Sequence, residues 1–339
     1  MILGQASERE KEYDWLGATE SYKEALSLVS EQEFPKLAGI HKRLGYAFYR
    51  VSMQSESVDD FKERMRQSVT NYEKAKEFYG KLSEQVKTPR MLRCDAMIAY
   101  VSYWLATEVP EKKRLLNECW RLAKESLKSF EQAADALEYG ETYNQLAMCV
   151  VFGFALEWDF QTREKMIKEA VELGGQAIRF LSTLGDLNEL AKAYAKTAVF
   201  QDAFIQYFLD LDEQEKAREK ALGHWQKAVE LSEEIALLEL LSNSVQVDHE
   251  NMGWDIGGDE TLKNFNKALE HANRTKDKFI IGRALDWLTY HTIWKLAATE
   301  NQESAVELIE TTSRYAQEAK RHFSCVSFIS CLLYTSPSP

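Results

Sequence analysis

Lys42, Tyr46 and Arg50 stand at positions i, i+4 and i+8 of one apolar-periodic stretch, with Tyr49 beside them. On a helix this spacing gathers two cations and two phenol rings on one face. Such a face has the chemistry to hold a carboxylate by charge-assisted hydrogen bonds and to wall an apolar residue next to it. The same residues also read as a solvated surface, with cationic stems lying along packed tyrosines. A second stretch, Asp248-His249-Glu250-Asn251-Met252-Gly253-Trp254-Asp255-Ile256-Gly257-Gly258-Asp259-Glu260, concentrates carboxylates, a histidine and glycines. It lacks the alternating ligands and fixed glycine of a calcium loop, and the chain has no HExxH, so a turn between helices is expected there and no metal ligand. Gly257-Gly258 has no GxGxxG or Walker pattern around it, which leaves no phosphate cradle. His291 lies among Trp287, Tyr290 and Trp294 at helical spacing and reads as packed core, not as a cofactor pocket. The other histidines, at 41, 224, 249, 271 and 322, are scattered, and no Ser or Cys has an evident base. The expectation is a noncatalytic protein with no cofactor.

Composition narrows the partners. The 339 residues carry 42 Lys+Arg against 54 Asp+Glu, a net charge of −12, which repels phosphate backbones and argues against general nucleic-acid binding. The longest apolar run, Ala147 to Leu156, is too short to span a bilayer, and Met1-Ile2-Leu3-Gly4 passes at once into charged residues, so no secretory leader is read. Cys94, Cys119, Cys149, Cys325 and Cys331 form no CxxC pair and are odd in number, which predicts reduced, mostly buried thiols and a cytoplasmic setting. The expected partner is a protein or peptide; nothing in the residues sets an oligomeric state.

The elements that must position these residues are helices. Gly 15 and Pro 5 are few, while Ala, Leu, Glu and Lys are many. One pattern recurs: a small residue, an aromatic four positions on, and an alanine three further. It appears as Ala18-Tyr22-Ala25, Ser68-Tyr72-Ala75, Ser126-Phe130-Ala133, Ala221-Trp225-Ala228 and, more loosely, Thr261-Phe265-Ala268, with variants Ala170-Gly174-Ala177 and Thr312-Ala316-Ala319. The three positions share one helix face, where small residues admit a neighbouring helix and the aromatic fills the space between. The closing alanines recur about every 49 residues with a second helix between copies, the mark of a stacked two-helix repeat. Predicted helices cover 13–29, 35–54, 57–84, 89–107, 110–136, 141–158, 161–183, 187–209, 213–236, 238–250, 259–273, 278–298 and 302–322, with no strand pattern. Pro35, Pro89 and Pro110 are placed to start helices, and Gly140-Glu141, Leu184-Gly185-Asp186 and Asn273 to Asp277 to separate them.

These residues resemble the tetratricopeptide repeat family, whose second helix carries the same small-x3-aromatic-x2-Ala motif and whose first carries an aromatic-x2-Leu-small-x2-apolar motif, matched by Tyr143, Leu146, Ala147 and Val150. The resemblance covers most of residues 1–330. The units are longer than that family's repeat of about 34 residues, with extra turns such as Asp59 to Arg66 ahead of Ser68, and are similar to the helical arms of large prokaryotic or archaeal regulators. The resemblance implies an all-α, right-handed α-solenoid of antiparallel hairpins whose leading helices line a concave ligand surface. Carrying the Lys42 face to the next clear leading helix adds Asn144 and Met148, so the implied peptide-binding set is Lys42, Tyr46, Tyr49, Arg50, Asn144 and Met148. Two functions are expected from this: an interaction scaffold holding a partner or peptide, or the sensing arm of a larger regulator with an ATPase, cyclase or DNA-binding domain.

Both ends stand apart. Cys331 to Pro339 has no charge and no helical period, holds two of the five prolines, and back-translates as read-through of a sequencing adapter. Residues 331–339 are accordingly expected to be foreign and unstructured, with the 1–330 array cut short. The first repeat is expected to lack part of its leading helix.

Overall fold

The computed structural model describes residues 2–234 and 259–326, and every regular element among them is a helix. In chain order these are α1 (Ile2–Lys11), α2 (Trp15–Ser27), α3 (Phe34–Met53), α4 (Val58–Tyr79), α5 (Glu84–Leu105), α6 (Val109–Gln132), α7 (Ala136–Leu156), α8 (Phe160–Leu184), α9 (Leu187–Phe208), α10 (Leu211–Glu234), α11 (Asp259–Thr275), α12 (Lys278–Ala297) and α13 (Gln302–Cys325). The helix expected at 238–250, most of the Asp248–Glu260 stretch and the 331–339 tail lie outside the described residues. The chain divides into two compact units, Met1–Met166 with Arg179–Glu189, and Ile167–Ile178 with Leu190–Pro339. Among the described residues no helix is long and apolar enough to cross a membrane.

Short side chains start the helices. Asp14, Ser57, Asp135, Asp159 and Asn301 each accept a backbone N–H from the first turn that follows, and Asp277 accepts two. Pro35 and Pro110 occupy first-turn positions, where a missing N–H removes no helical bond. Gly185, with φ of 75°, closes α8 in the left-handed conformation that glycine adopts without strain. In unit 1, links of a few residues then fold α1 and α2, α3 and α4, and α5 and α6 back on each other as antiparallel hairpins.

In unit 1, α1 pairs with α2, α3 with α4, and α5 with α6, and α7 packs on α6. The recurring motif makes these contacts. Ser68 on α4 donates to the Gly45 carbonyl of α3 at 2.7 Å, and the Tyr72 ring lies so close that a Cβ on Gly45 would meet Tyr72 Cδ2 at 2.9 Å. Ala18 and Tyr22 on α2, Ser126 and Phe130 on α6, and Ala75 on α4 are likewise buried. Ala133 departs from the pattern, because α6 ends at Gln132 and the alanine caps it in solvent. Unit 2 repeats the device: Phe323 of α13 covers Gly282 of α12, and Trp225 of α10 is buried while its indole N–H donates to Asp202 of α9 at 2.6 Å.

Three boundaries differ from expectation. The expected start near residue 13 misses α1, which buries only Ala6 and so shows little apolar period. It is held by a hydrogen bond from the Tyr22 hydroxyl to Glu10 at 2.8 Å and by Arg9 donating to the Gly17 carbonyl. Pro89 does not start α5; the helix begins five residues earlier, at Glu84, and continues through the proline. Gly140 does not separate helices but lies within α7, where a Cβ would sit 2.3 Å from the Glu189 Cβ of α9, so glycine there permits close packing.

Candidate functional site

The leading helices α3, α5 and α7 run in the same direction in unit 1. Lys42 and Arg93 meet Glu138 at one level, and further along Tyr49 meets Tyr100, which meets Phe152. The two levels differ in chemistry.

The first level is a buried ion network. Lys42 Nζ lies 2.6 Å from Glu138 Oε1 and 3.5 Å from Glu141 Oε2, and Arg43 Nη1 lies 2.8 Å from Glu141 Oε1. From α5, Arg93 brings Nε to 3.0 Å from Glu138 Oε2 and Nη2 to 2.8 Å from Glu141 Oε2. Its Nη1 donates to the Thr142 hydroxyl, which itself donates to the Glu138 carbonyl. Burial by itself raises the Glu138 carboxyl, but the Lys42 and Arg93 charges outweigh it and hold the group below the ordinary carboxylate range. Glu141 raises the Arg43 guanidinium above its usual value against the opposing effect of burial. At the edge of the network, burial raises the Glu10 carboxyl in spite of Arg43 and the Tyr22 hydrogen bond.

The second level is aromatic. Tyr46 stands edge-on to Trp15 at 5.6 Å and tilts toward Tyr49 at 6.1 Å; the Tyr49 and Tyr100 hydroxyls are 3.3 Å apart. The Arg50 guanidinium lies 4.9 Å from the centre of the Trp15 ring, with Nη1 at 3.4 Å from the Tyr46 hydroxyl. Beyond them Tyr103 stacks on Phe152 and Trp104 meets it edge-on.

This geometry gives the six residues expected on the ligand surface different parts. Lys42 and Arg50 are expected from the sequence to present their charges to a ligand, or otherwise to solvent. They are instead only 7% and 8% exposed, the first matched by two carboxylates and the second laid on an indole, because an uncompensated charge at that depth would be strongly unfavourable. Tyr46 and Tyr49 are half-buried, as are Asn144 and Met148. The Arg43–Glu141 pair brings α3 and α7 together across α5; one turn beyond it on each helix come Tyr46 and Asn144, so these two share a level. Asn144 Oδ1 is buried with no hydrogen-bond partner among the described residues. The ion network itself was missed by sequence reasoning. Its members lie about 50 and 100 residues apart, and only the i, i+3 spacing of Glu138 with Glu141 and of Arg90 with Arg93 marks their faces.

Elsewhere, His291 is buried and meets Phe265 edge-on at 5.0 Å, while Tyr290 and Trp294 are exposed, so the aromatic stripe around it does not enclose a pocket. Among the described residues no group of three or more His, Cys, Asp or Glu is placed to hold a metal. Cys119 and Cys149 face each other between α6 and α7 with Sγ atoms 2.6 Å apart, a pairing that their spacing in the chain did not show.

No protein-family model and no curated protein matches this sequence. Solved structures do share its architecture. The apo form of RapI aligns over 95% of this chain and 97% of its own, with a TM-score of 0.54 at 11% identity. The Rap conjugation gene regulator of the plasmid pLS20, in complex with the Phr* peptide, aligns over 96% of this chain and 75% of its own, with a TM-score of 0.57 at 12% identity. The chain is thus an all-α helical-repeat protein of the architecture seen in these two Rap structures.

Proposed function

We propose that the chain is a noncatalytic interaction scaffold that holds a peptide on the face formed by α3 and α7 of unit 1. The observation that carries this reading is Asn144, a half-buried carboxamide whose oxygen has no partner among the described residues, level with Tyr46 and one turn before Met148. A carboxamide offers one acceptor and two donors, the complement of a peptide backbone edge, and the tyrosines and Met148 supply adaptable apolar walls. The bound state of the pLS20 Rap regulator, a complex with a peptide, supports the same reading. That the pLS20 protein is a gene regulator also supports the second expectation, that this scaffold is the sensing arm of a larger multidomain regulator.

A peptide array probed with the full chain tests the scaffold reading. Captured peptides should bind Asn144→Leu at least tenfold more weakly, while the variant melts no lower than the parent, because the substitution removes an orphaned buried acceptor. Equal capture by parent and variant, or no sequence-selective capture at all, would overturn it.

A further inference from the structure

A separate cleft of about 580 Å³ opens in unit 1 where the N-terminal turns of α3 and α5 meet α1 and α2. Its volume lies in the range of small-ligand sites. One wall is aliphatic, formed by Leu3, Pro35, Ile40, Leu82 and Val86. Lys42, Arg43 and Arg90 line the cleft too, with Lys36, itself ion-paired to Glu33, and with Glu138 as the carboxylate among them.

Donors there exceed acceptors. Arg43 carries five N–H donors and gives one to Glu141; Arg90 carries five and reaches Asp135 at 3.3 Å, with Glu138 at 3.9 Å. The Tyr79 hydroxyl, also on the lining, makes no hydrogen bond to any described residue. Glu138 serves them little: its Oε1 accepts from Lys42 and comes no nearer to Arg90 than 3.9 Å, and its Oε2 lies against Arg93 at 3.0 Å. Water satisfies such donors in part. A ligand with two anionic oxygens and a hydrocarbon body would satisfy the donors and cover the aliphatic wall at once.

We infer that this cleft binds an aliphatic carboxylate, its head group on Arg43, Arg90 and the Tyr79 hydroxyl and its hydrocarbon part on Ile40, Leu82 and Val86. A free carboxylic acid and the C-terminal residue of a peptide both present this chemistry. The inference does not depend on the Asn144 face, which lies further along α7.

Gly39 supplies the test. It lines the cleft, and a Cβ placed on it meets nothing within 4 Å, so a larger side chain there enters open space without disturbing the core. Octanoate and acetyl-Ala-Leu would be titrated into the full chain by calorimetry, beside their neutral counterparts octanamide and acetyl-Ala-Leu-amide. At least one carboxylate should bind tenfold or more tightly than its amide. Tyr79→Phe should weaken that binding about fivefold, and Gly39→Leu should abolish it while unfolding no earlier than the parent. Binding of octanoate alone identifies a free acid as the source; binding of acetyl-Ala-Leu alone identifies a peptide terminus. Equal affinity for acid and amide, no binding of either acid, or undiminished binding by Gly39→Leu would overturn the inference. Asn144→Leu should leave these titrations unchanged, which separates failure here from failure of the peptide-face reading.

Discussion

Two glycines of α3 allow the helix-packing argument to be tested with helix propensity cancelled. Gly→Ala in a helix interior gains about 1 kcal/mol from propensity wherever space permits. At Gly39 space permits, so Gly39→Ala should stabilise by about that amount. At Gly45 the new methyl would lie 2.9, 3.0 and 3.1 Å from Tyr72 Cδ2, Cε2 and Cγ, where ordinary carbon contacts are about 3.5–4.0 Å. The ring has to retreat by roughly half an ångström or more. It cannot do so freely, because Tyr72 is 1% exposed and Ser68, one turn earlier on α4, is hydrogen-bonded to the Gly45 carbonyl itself. Overpacking of this kind costs about 1–3 kcal/mol. Both sites share one helix, so the difference between the two variants isolates the steric cost and should itself be about 1–3 kcal/mol. Urea unfolding followed by circular dichroism would measure it. Variants equally stable to within about 0.5 kcal/mol would refute the reasoning that Tyr72 on Gly45 sets the α3–α4 distance.

Glu138→Gln removes the more buried of the two carboxylates that Lys42 and Arg93 share, leaving Glu141 alone to face both cations, and should destabilise by about 3 kcal/mol. Lys42→Met should cost clearly less, since Arg93 still neutralises Glu138; the same urea titration ranks them. His41 and His224 are held below the ordinary imidazole value, chiefly by burial, so the native state binds fewer protons than the unfolded one. Stability should therefore be full above about pH 6.5 and fall as the pH drops toward 5, with a shallower slope in His41→Phe, as thermal melts across that range would show. Burial pushes the Cys94 thiol up to about 12 and Cys149 well above its usual value. In the folded chain iodoacetamide should thus label the partly exposed Cys325 and spare Cys94, Cys119 and Cys149 until urea opens the structure, with mass spectrometry locating the adducts.

Much of the architecture was legible because it rests on local periodicity. The small-aromatic-alanine face of α4 is written in Ser68, Tyr72 and Ala75, and the structure buries all three. Helix ends were legible where a capping side chain or a left-handed glycine fixes them, as at Asp277 and Gly185. Gly140 and Pro89 misled because their usual meaning is a local one: the space Gly140 leaves is used by Glu189, a residue 49 positions away, and α5 absorbs Pro89 after its first turn. The candidate face was legible only in outline. Helical spacing places Lys42, Tyr46 and Arg50 together, yet whether a cation meets solvent or a carboxylate depends on α7, nearly a hundred residues on.

The pairing of Lys42 and Arg43 with Glu138 and Glu141 has a mechanical consequence. A stack whose modules touch only their immediate neighbours unravels from an end, one module at a time. Here α3 is fastened to α7 past the intervening α5–α6 pair, so peeling away α3 and α4 means separating two ion pairs at once, one of them, Lys42 with Glu138, buried from water. Pulled by its ends, this half of the molecule should resist without fraying and then yield in a single rip.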